Sequence, residues 1–116
     1  MRAMKKTGVS DLALVEAVGE LARGLHDGDL GGGVFKKRIA LPGNGKRGSL
    51  RTILATKAGA RWFYLFGFKK SDRSNINEQE LDALKALAED LFTLDAQGLR
   101  IAVQDGALTE IEHGGR

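Results

Sequence analysis

Between Val34 and Phe68 the chain passes through three β-patterned segments whose connections are too short to hold a crossover helix. This constrains the fold more than any other feature. Val34–Leu41 alternates Val34, Lys36 and Arg38 with Phe35, Lys37 and Ile39. Ser49–Thr56 sets Leu50, Thr52 and Leu54 on one face and Arg51, Ile53 and Ala55 on the other, by the two-residue period of a strand. Arg61–Phe68 is almost wholly apolar and aromatic, the pattern of a central strand covered on at least one face. Pro42–Gly48 and Lys57–Gly59 supply the turns. Parallel neighbours need a crossover of about a dozen residues or more, so these segments are expected to pair antiparallel.

Helical patterns flank them. Ser10–Leu25 begins with a capping residue and an acid in its first turn. Leu14, Val15, Val18, Leu21, Ala22 and Leu25 recur at helical spacing. Asn77 can cap a second helix over Glu78–Phe92, whose apolar stripe is Leu81, Leu84, Leu87, Ala88 and Leu91. Ala96–Gln104 is expected to be a further helix, Ala107–Ile111 a terminal strand, and residues 112–116 a mobile tail. Gly31–Gly33 reads as a flexible connection, because no Lys-Ser/Thr helix start follows to make a phosphate loop. Residues 1–116 thus read as a single α+β domain. Its expected architecture is a small twisted, mainly antiparallel sheet with helices packed on one side.

Charge points to function. From Val34 to Arg73 there are eleven Lys or Arg residues and one acid, Asp72, a net of +10; the other seven bases and fourteen acids leave the rest of the chain at −7. Segregation this sharp suggests one surface built to meet a polyanion, most simply nucleic acid. The absence of cysteine rules out disulfides, thiolate metal sites and a Cys nucleophile. No run approaches the roughly 18 apolar residues of a membrane span. No apolar stretch follows Met1–Lys6, so a cytoplasmic location is expected. With two histidines in the chain and almost no acids in the basic block, no cofactor or metal is expected.

Three stretches carry a resemblance. Gly31-Gly-Gly-Val-Phe-Lys-Lys-Arg-Ile-Ala, Pro42-Gly-Asn-Gly-Lys-Arg-Gly-Ser-Leu-Arg-Thr-Ile and Phe66-Gly-Phe-Lys-Lys-Ser-Asp-Arg-Ser-Asn-Ile, in that order, resemble the RelE/HigB-like toxins of type II toxin–antitoxin systems. The likeness extends through the Glu78–Leu91 helix to Asp105-Gly-Ala-Leu-Thr-Glu-Ile. It implies a small RelE-like fold and a metal-independent endoribonuclease that cuts mRNA on the ribosome. The implied partner is a cognate antitoxin, often with a helix-turn-helix domain. By position, Arg51 resembles the strand arginine that grips the scissile phosphate, and Lys69 or Lys70 the basic residue after the last central strand. Lys36, Lys37, Arg38 and Lys46 fall where related toxins carry further cations. The chain departs from the family in two places. Ser74-Asn75-Ile76 stands where better-known members carry a tyrosine assigned to proton transfer. The stretch before Val9 is shorter than the family's first strand and full first helix, which suggests an internal gene start or a sheet without its first strand.

Cleavage by attack of a 2′-hydroxyl on the adjacent phosphate builds negative charge in the transition state, and fixed cations lower that barrier. Arg51 suits the phosphate because its planar fork can donate two parallel hydrogen bonds. Lys46, or the Lys69–Lys70 pair, is a candidate acid or base. Arg47 and Arg73 join Lys36, Lys37 and Arg38 as RNA contacts. Tyr64 and Phe66, expected on one strand face with Trp62, are candidates for base stacking, although core packing is the expected fate of most of these aromatics. A noncatalytic RNA- or ribosome-binding module and a degenerate, inactive toxin are the rival readings.

Overall fold

The computed structural model describes residues 10–40, 49–59, 61–69 and 75–111. The expected tail at 112–116 and the question of a first strand before Ser10 lie outside the described residues. The elements are α1 (Asp11–Ala22), β1 (Gly28–Gly31), β2 (Val34–Ile39), β3 (Leu50–Thr56), β4 (Trp62–Lys69), α2 (Glu78–Phe92) and α3 (Ala96–Gln104). The four strands form one antiparallel sheet in the order β1-β2-β3-β4.

Local chemistry sets the helix ends. Ser10 Oγ accepts from the Ala13 N–H at 3.1 Å, satisfying one orphan donor of the first turn. At the other end of α1, Leu25 N–H reaches Glu20 O at 3.0 Å and Gly24 N–H reaches Leu21 O at 2.9 Å. This is a Schellman closure, and Gly24 takes the left-handed φ of +86° that it requires. In α2, Asn77 and Glu80 cap each other reciprocally at 2.8 and 2.9 Å. Asp95 caps α3 through Gly98 N–H at 2.8 Å.

β1 comes from a segment that reads as loop in sequence. Gly32 and Gly33 form a two-residue hairpin turn with φ of +66° and +80°, a geometry whose twist matches that of the flanking strands. The expected flexible connection is therefore corrected to a tight turn joining β1 to β2.

The helices divide between the two faces of the sheet. Leu14, Ala17 and Leu21 of α1 bury against Ile39, Leu50, Leu54 and Tyr64. Ala88 and Leu91 of α2 bury against Val34, Ile53, Ala55, Phe63 and Leu65 on the other side. The expected one-sided arrangement is thus corrected, while the α+β class and antiparallel sheet hold. β4 is also the last strand of the described sheet rather than a central one. Its apolar character follows from cover on both faces, which periodicity alone does not distinguish from a central position.

Two further expectations change. Ile53 pairs with Phe66 and Leu54 with Tyr64, so Leu65 is an extra residue in β4. This bulge resets the alternation: Trp62 and Tyr64 face α1, whereas Phe66 and Phe68 share the face of Arg51 and Ile53. Ala107–Ile111 forms no strand. It passes instead from one core to the other, burying Leu108 on the α2 side and Ile111 on the α1 side.

Candidate phosphate-binding cleft

On the α2 face, β2 and β3 change character along their length. Val34, Ile53 and Ala55 are fully buried beneath α2. Two and four residues beyond Val34, and two before Ile53, Lys36, Arg38 and Arg51 lie on the same face outside the buried core. Arg38 and Arg51 are direct cross-strand partners. Like charges opposite each other cost a ladder roughly 0.2–1 kcal/mol, a cost that a bound anion would remove.

With Asp27, these three cations line a cleft of about 190 Å³. That is below the roughly 300–1,000 Å³ of ordinary small-molecule sites and suits a single phosphate with its chain outside. Ser49, itself buried, accepts from Arg51 NH1 at 3.1 Å and orients the guanidinium from one side. Asn75, just ahead of α2, holds Lys36 Nζ at 3.5 Å, the outer limit of a hydrogen bond. Asp27 is fixed through the backbone. Its N–H donates to Lys36 O at 2.8 Å, and its Oδ2 accepts from Arg38 N–H at 2.7 Å.

Lys36, Arg38 and Arg51 therefore converge, a grouping set by the β2–β3 register. Lys37 does not join them. As an odd member of β2 it faces α1, where Nζ pairs with Glu20 at 2.7 Å and donates to Leu25 O at 3.0 Å. That hydrogen bond and charge hold the Glu20 carboxyl below the usual carboxylate range. The expected RNA contact at Lys37 is corrected to a tie between β2 and α1. Lys69 pairs with Leu50, a residue of the α1-side core, so its register places it on the face opposite Arg51.

The stacking role expected of Tyr64 is also corrected. Tyr64 is only 1% exposed, its hydroxyl donates to Leu14 O at 2.6 Å, and burial pushes its pKa up. It can neither meet a base nor exchange a proton near neutrality. Phe66 remains half-buried on the cleft's face, its ring 5.8 Å from that of Phe68. Lys46, Arg47, Lys70 and Arg73 lie outside the described residues.

Asp27, Ser49 and Asn75 escape a reading by charge and strand period. Asp27 had one available signal. A turn at Gly32–Gly33, counted back through the hairpin, brings Asp27 alongside the Lys36–Arg38 stretch, while the register shift between Asp29 and Gly31 sets the pairing, Gly28 opposite Lys36.

A larger cavity, about 640 Å³, lies elsewhere, among Val15, Val18, Trp62, Leu99, Val103 and Ile111. Its walls are mainly apolar, and the two cations that line it, Arg61 and Arg100, share it with Glu110. Among the described residues, no three His, Cys, Asp or Glu side chains gather into a metal-holding group. No helix among them is long and apolar enough to cross a membrane.

The family model for the RelE toxin of the RelE / RelB toxin-antitoxin system matches residues 1–111. The chain belongs to the RelE toxin family. Comparison with curated proteins and with solved structures gives no match. Membership makes this a RelE-like toxin of a toxin–antitoxin system and implies an antitoxin partner. The antiparallel sheet with three helices is consistent with a RelE-like fold.

Proposed function

We propose that this RelE-family toxin is a metal-independent endoribonuclease that cuts mRNA in association with the ribosome. The carrying observation is the convergence of Lys36, Arg38 and Arg51 on one phosphate-sized cleft. In this reading the 2′-oxygen of the substrate attacks its own 3′-phosphate and the bond to the 5′-oxygen breaks. The phosphorus passes through a five-coordinate state of higher negative charge. Arg51, oriented by Ser49, donates to the non-bridging oxygens, while Arg38 and Lys36 balance the added charge. Phe66 offers a platform for a base flanking the scissile bond. Lys46, Arg47, Lys70 and Arg73, in the segments that adjoin β3 and β4 in sequence, are proposed as contacts to the flanking backbone. The antitoxin, carrying a helix-turn-helix domain, blocks the toxin by covering this cationic face, and the toxin acts in the cytoplasm.

Arg51→Ala tests the proposal in a translating extract free of antitoxin. Cleavage is expected to fall about 10²–10³-fold, as when a preorganised oxyanion donor is lost. Affinity for an mRNA with a 2′-deoxy nucleotide at the cleaved position should fall far less. A wild-type protein that binds RNA or ribosomes but cuts nothing would make this a binding module. A protein that neither binds nor arrests growth would make it an inactive toxin.

A further inference from the structure

Asp27 is the anomaly of the cleft. A surface that only gathers phosphate gains nothing from an acid at its centre, since a carboxylate repels the anion that the cations attract. Yet the fold places Asp27 there by two backbone hydrogen bonds, its own N–H to Lys36 O and Arg38 N–H to its Oδ2. Neither bond uses up the second oxygen. Among the described residues, Oδ1 accepts from no donor, and no cationic nitrogen comes within 4.0 Å of the carboxylate. The group is therefore held in one orientation, without an ion pair among the described residues, and set against the three side chains that would hold the phosphate. A purely structural acceptor for Arg38 N–H would not need to line the cleft.

Building on the nuclease reading above, we propose that Asp27 is the general base that deprotonates the attacking 2′-hydroxyl. The 2′-O–H proton passes to Oδ1, and the electron pair released forms the bond from O2′ to phosphorus. The bond from phosphorus to O5′ breaks with its pair on O5′, which takes a proton from water. The hydroxide so formed removes the proton from Asp27 and regenerates the carboxylate. The products are a 2′,3′-cyclic phosphate and a 5′-hydroxyl. The cations carry the charge and the acid carries the proton, which gives proton transfer a residue in a chain with Ser74-Asn75-Ile76 in place of the late tyrosine.

Asp27→Asn separates the roles. Asparagine keeps an oxygen to accept from Arg38 N–H and keeps the volume, but it is not a base at neutral pH. Cleavage of mRNA on translating ribosomes is expected to fall about 10²–10⁴-fold, the usual contribution of general-base catalysis. Binding of the 2′-deoxy mRNA is expected to hold or to tighten, which also certifies the fold. Asp27→Ala should regain cleavage in proportion to added formate, a rescue that a structural role would not show. The assignment is overturned if Asp27→Asn cuts within about threefold of wild type, well short of general-base magnitudes. It is overturned equally if formate leaves Asp27→Ala unchanged. If wild type cuts neither ribosome-bound nor free mRNA, the nuclease reading fails and takes this assignment with it. Failure of Asp27→Asn and formate to behave as stated, with wild type active, removes the assignment alone.

Discussion

The turn that carries Asp27 into the cleft depends on one glycine more than on its neighbour, and the difference can be measured. Gly32 and Gly33 both have positive φ, so alanine at either position meets the left-handed penalty of roughly 1–2 kcal/mol. At Gly32 the added Cβ meets nothing closer than Lys85 Cδ at 4.0 Å. The reduced entropy of the unfolded chain returns about 0.4–1 kcal/mol. Gly32→Ala should therefore cost about 1 kcal/mol. At Gly33 the Cβ would lie 2.5 Å from Thr56 O and 3.3 Å from Phe92 Cζ. Side chains essentially never approach a backbone oxygen closer than 3.0 Å, so the turn must move away from β3. That movement strains the hydrogen bond from Thr56 N–H to Gly33 O, now 2.9 Å, worth about 0.5–1.5 kcal/mol. Gly33→Ala should then cost about 3 kcal/mol in all, once local displacement is included. Urea unfolding of the two variants reads the difference directly. With a slope of about 1.5 kcal/mol per molar, Gly33→Ala lowers the midpoint by about 2 M and Gly32→Ala by well under 1 M. Equal midpoints for the two variants would refute the packing of this turn against β3, and with it the hairpin that sets Asp27.

Tyr64→Phe should destabilise the protein by about 0.5–1.5 kcal/mol, because the hydroxyl's hydrogen bond to Leu14 O is lost. Cleavage at a temperature where the variant stays folded should be unchanged; a specific loss of RNA binding would contradict the buried placement. The Lys37–Glu20 tie predicts a pH dependence. The Glu20 carboxyl is held by Lys37 below its ordinary value of 4.5, so the stabilisation is present above that value and is lost as pH falls through the lowered pKa. The stability gap between wild type and Lys37→Met should therefore close below about pH 4.5. A gap that stays constant with pH in thermal melts would show that the ion pair contributes nothing. The losses stated for Arg51→Ala and Asp27→Asn are the functional counterparts, and each leaves the cores on either side of the sheet untouched.

Much of the fold is legible one segment at a time. Ser10 and Asn77 announce the starts of α1 and α2, since a capping side chain acts on backbone donors two or three residues away. β2 and β3 are visible as alternation and β4 as an unbroken apolar run, and so is the placement of Arg51, Ile53 and Ala55 on one face. What escapes is set by contacts distant in sequence. The bulge at Leu65 depends on how β4 lies against β3, and it moves Phe66 away from the face of Tyr64. β1 has almost no apolar signal of its own and exists because the Gly32–Gly33 turn folds it onto β2. Ala107–Ile111 has the composition of a strand but spends its apolar residues on two separate cores.

The site divides in the same way. A count of charges marks the basic block, and strand period puts Lys36 and Arg38 on one face of β2 and Arg51 with Ile53 on one face of β3; the β2–β3 register brings the two sets together. Period alone does not say which face a helix leaves open, so Lys37, on the other face, reads in sequence as one more RNA contact. Only the packing of α1 beside β2 gives it Glu20 as a partner. The sequence by itself thus determined the class of fold, the capped helices, the antiparallel pairing and the polyanion-seeking charge, because each follows from residues near one another along the chain. Tertiary structure decided which helices cover which face, which cations share a cleft, and that an acid stands among them. Those outcomes depend on register and packing between distant segments, and they carry no local signature.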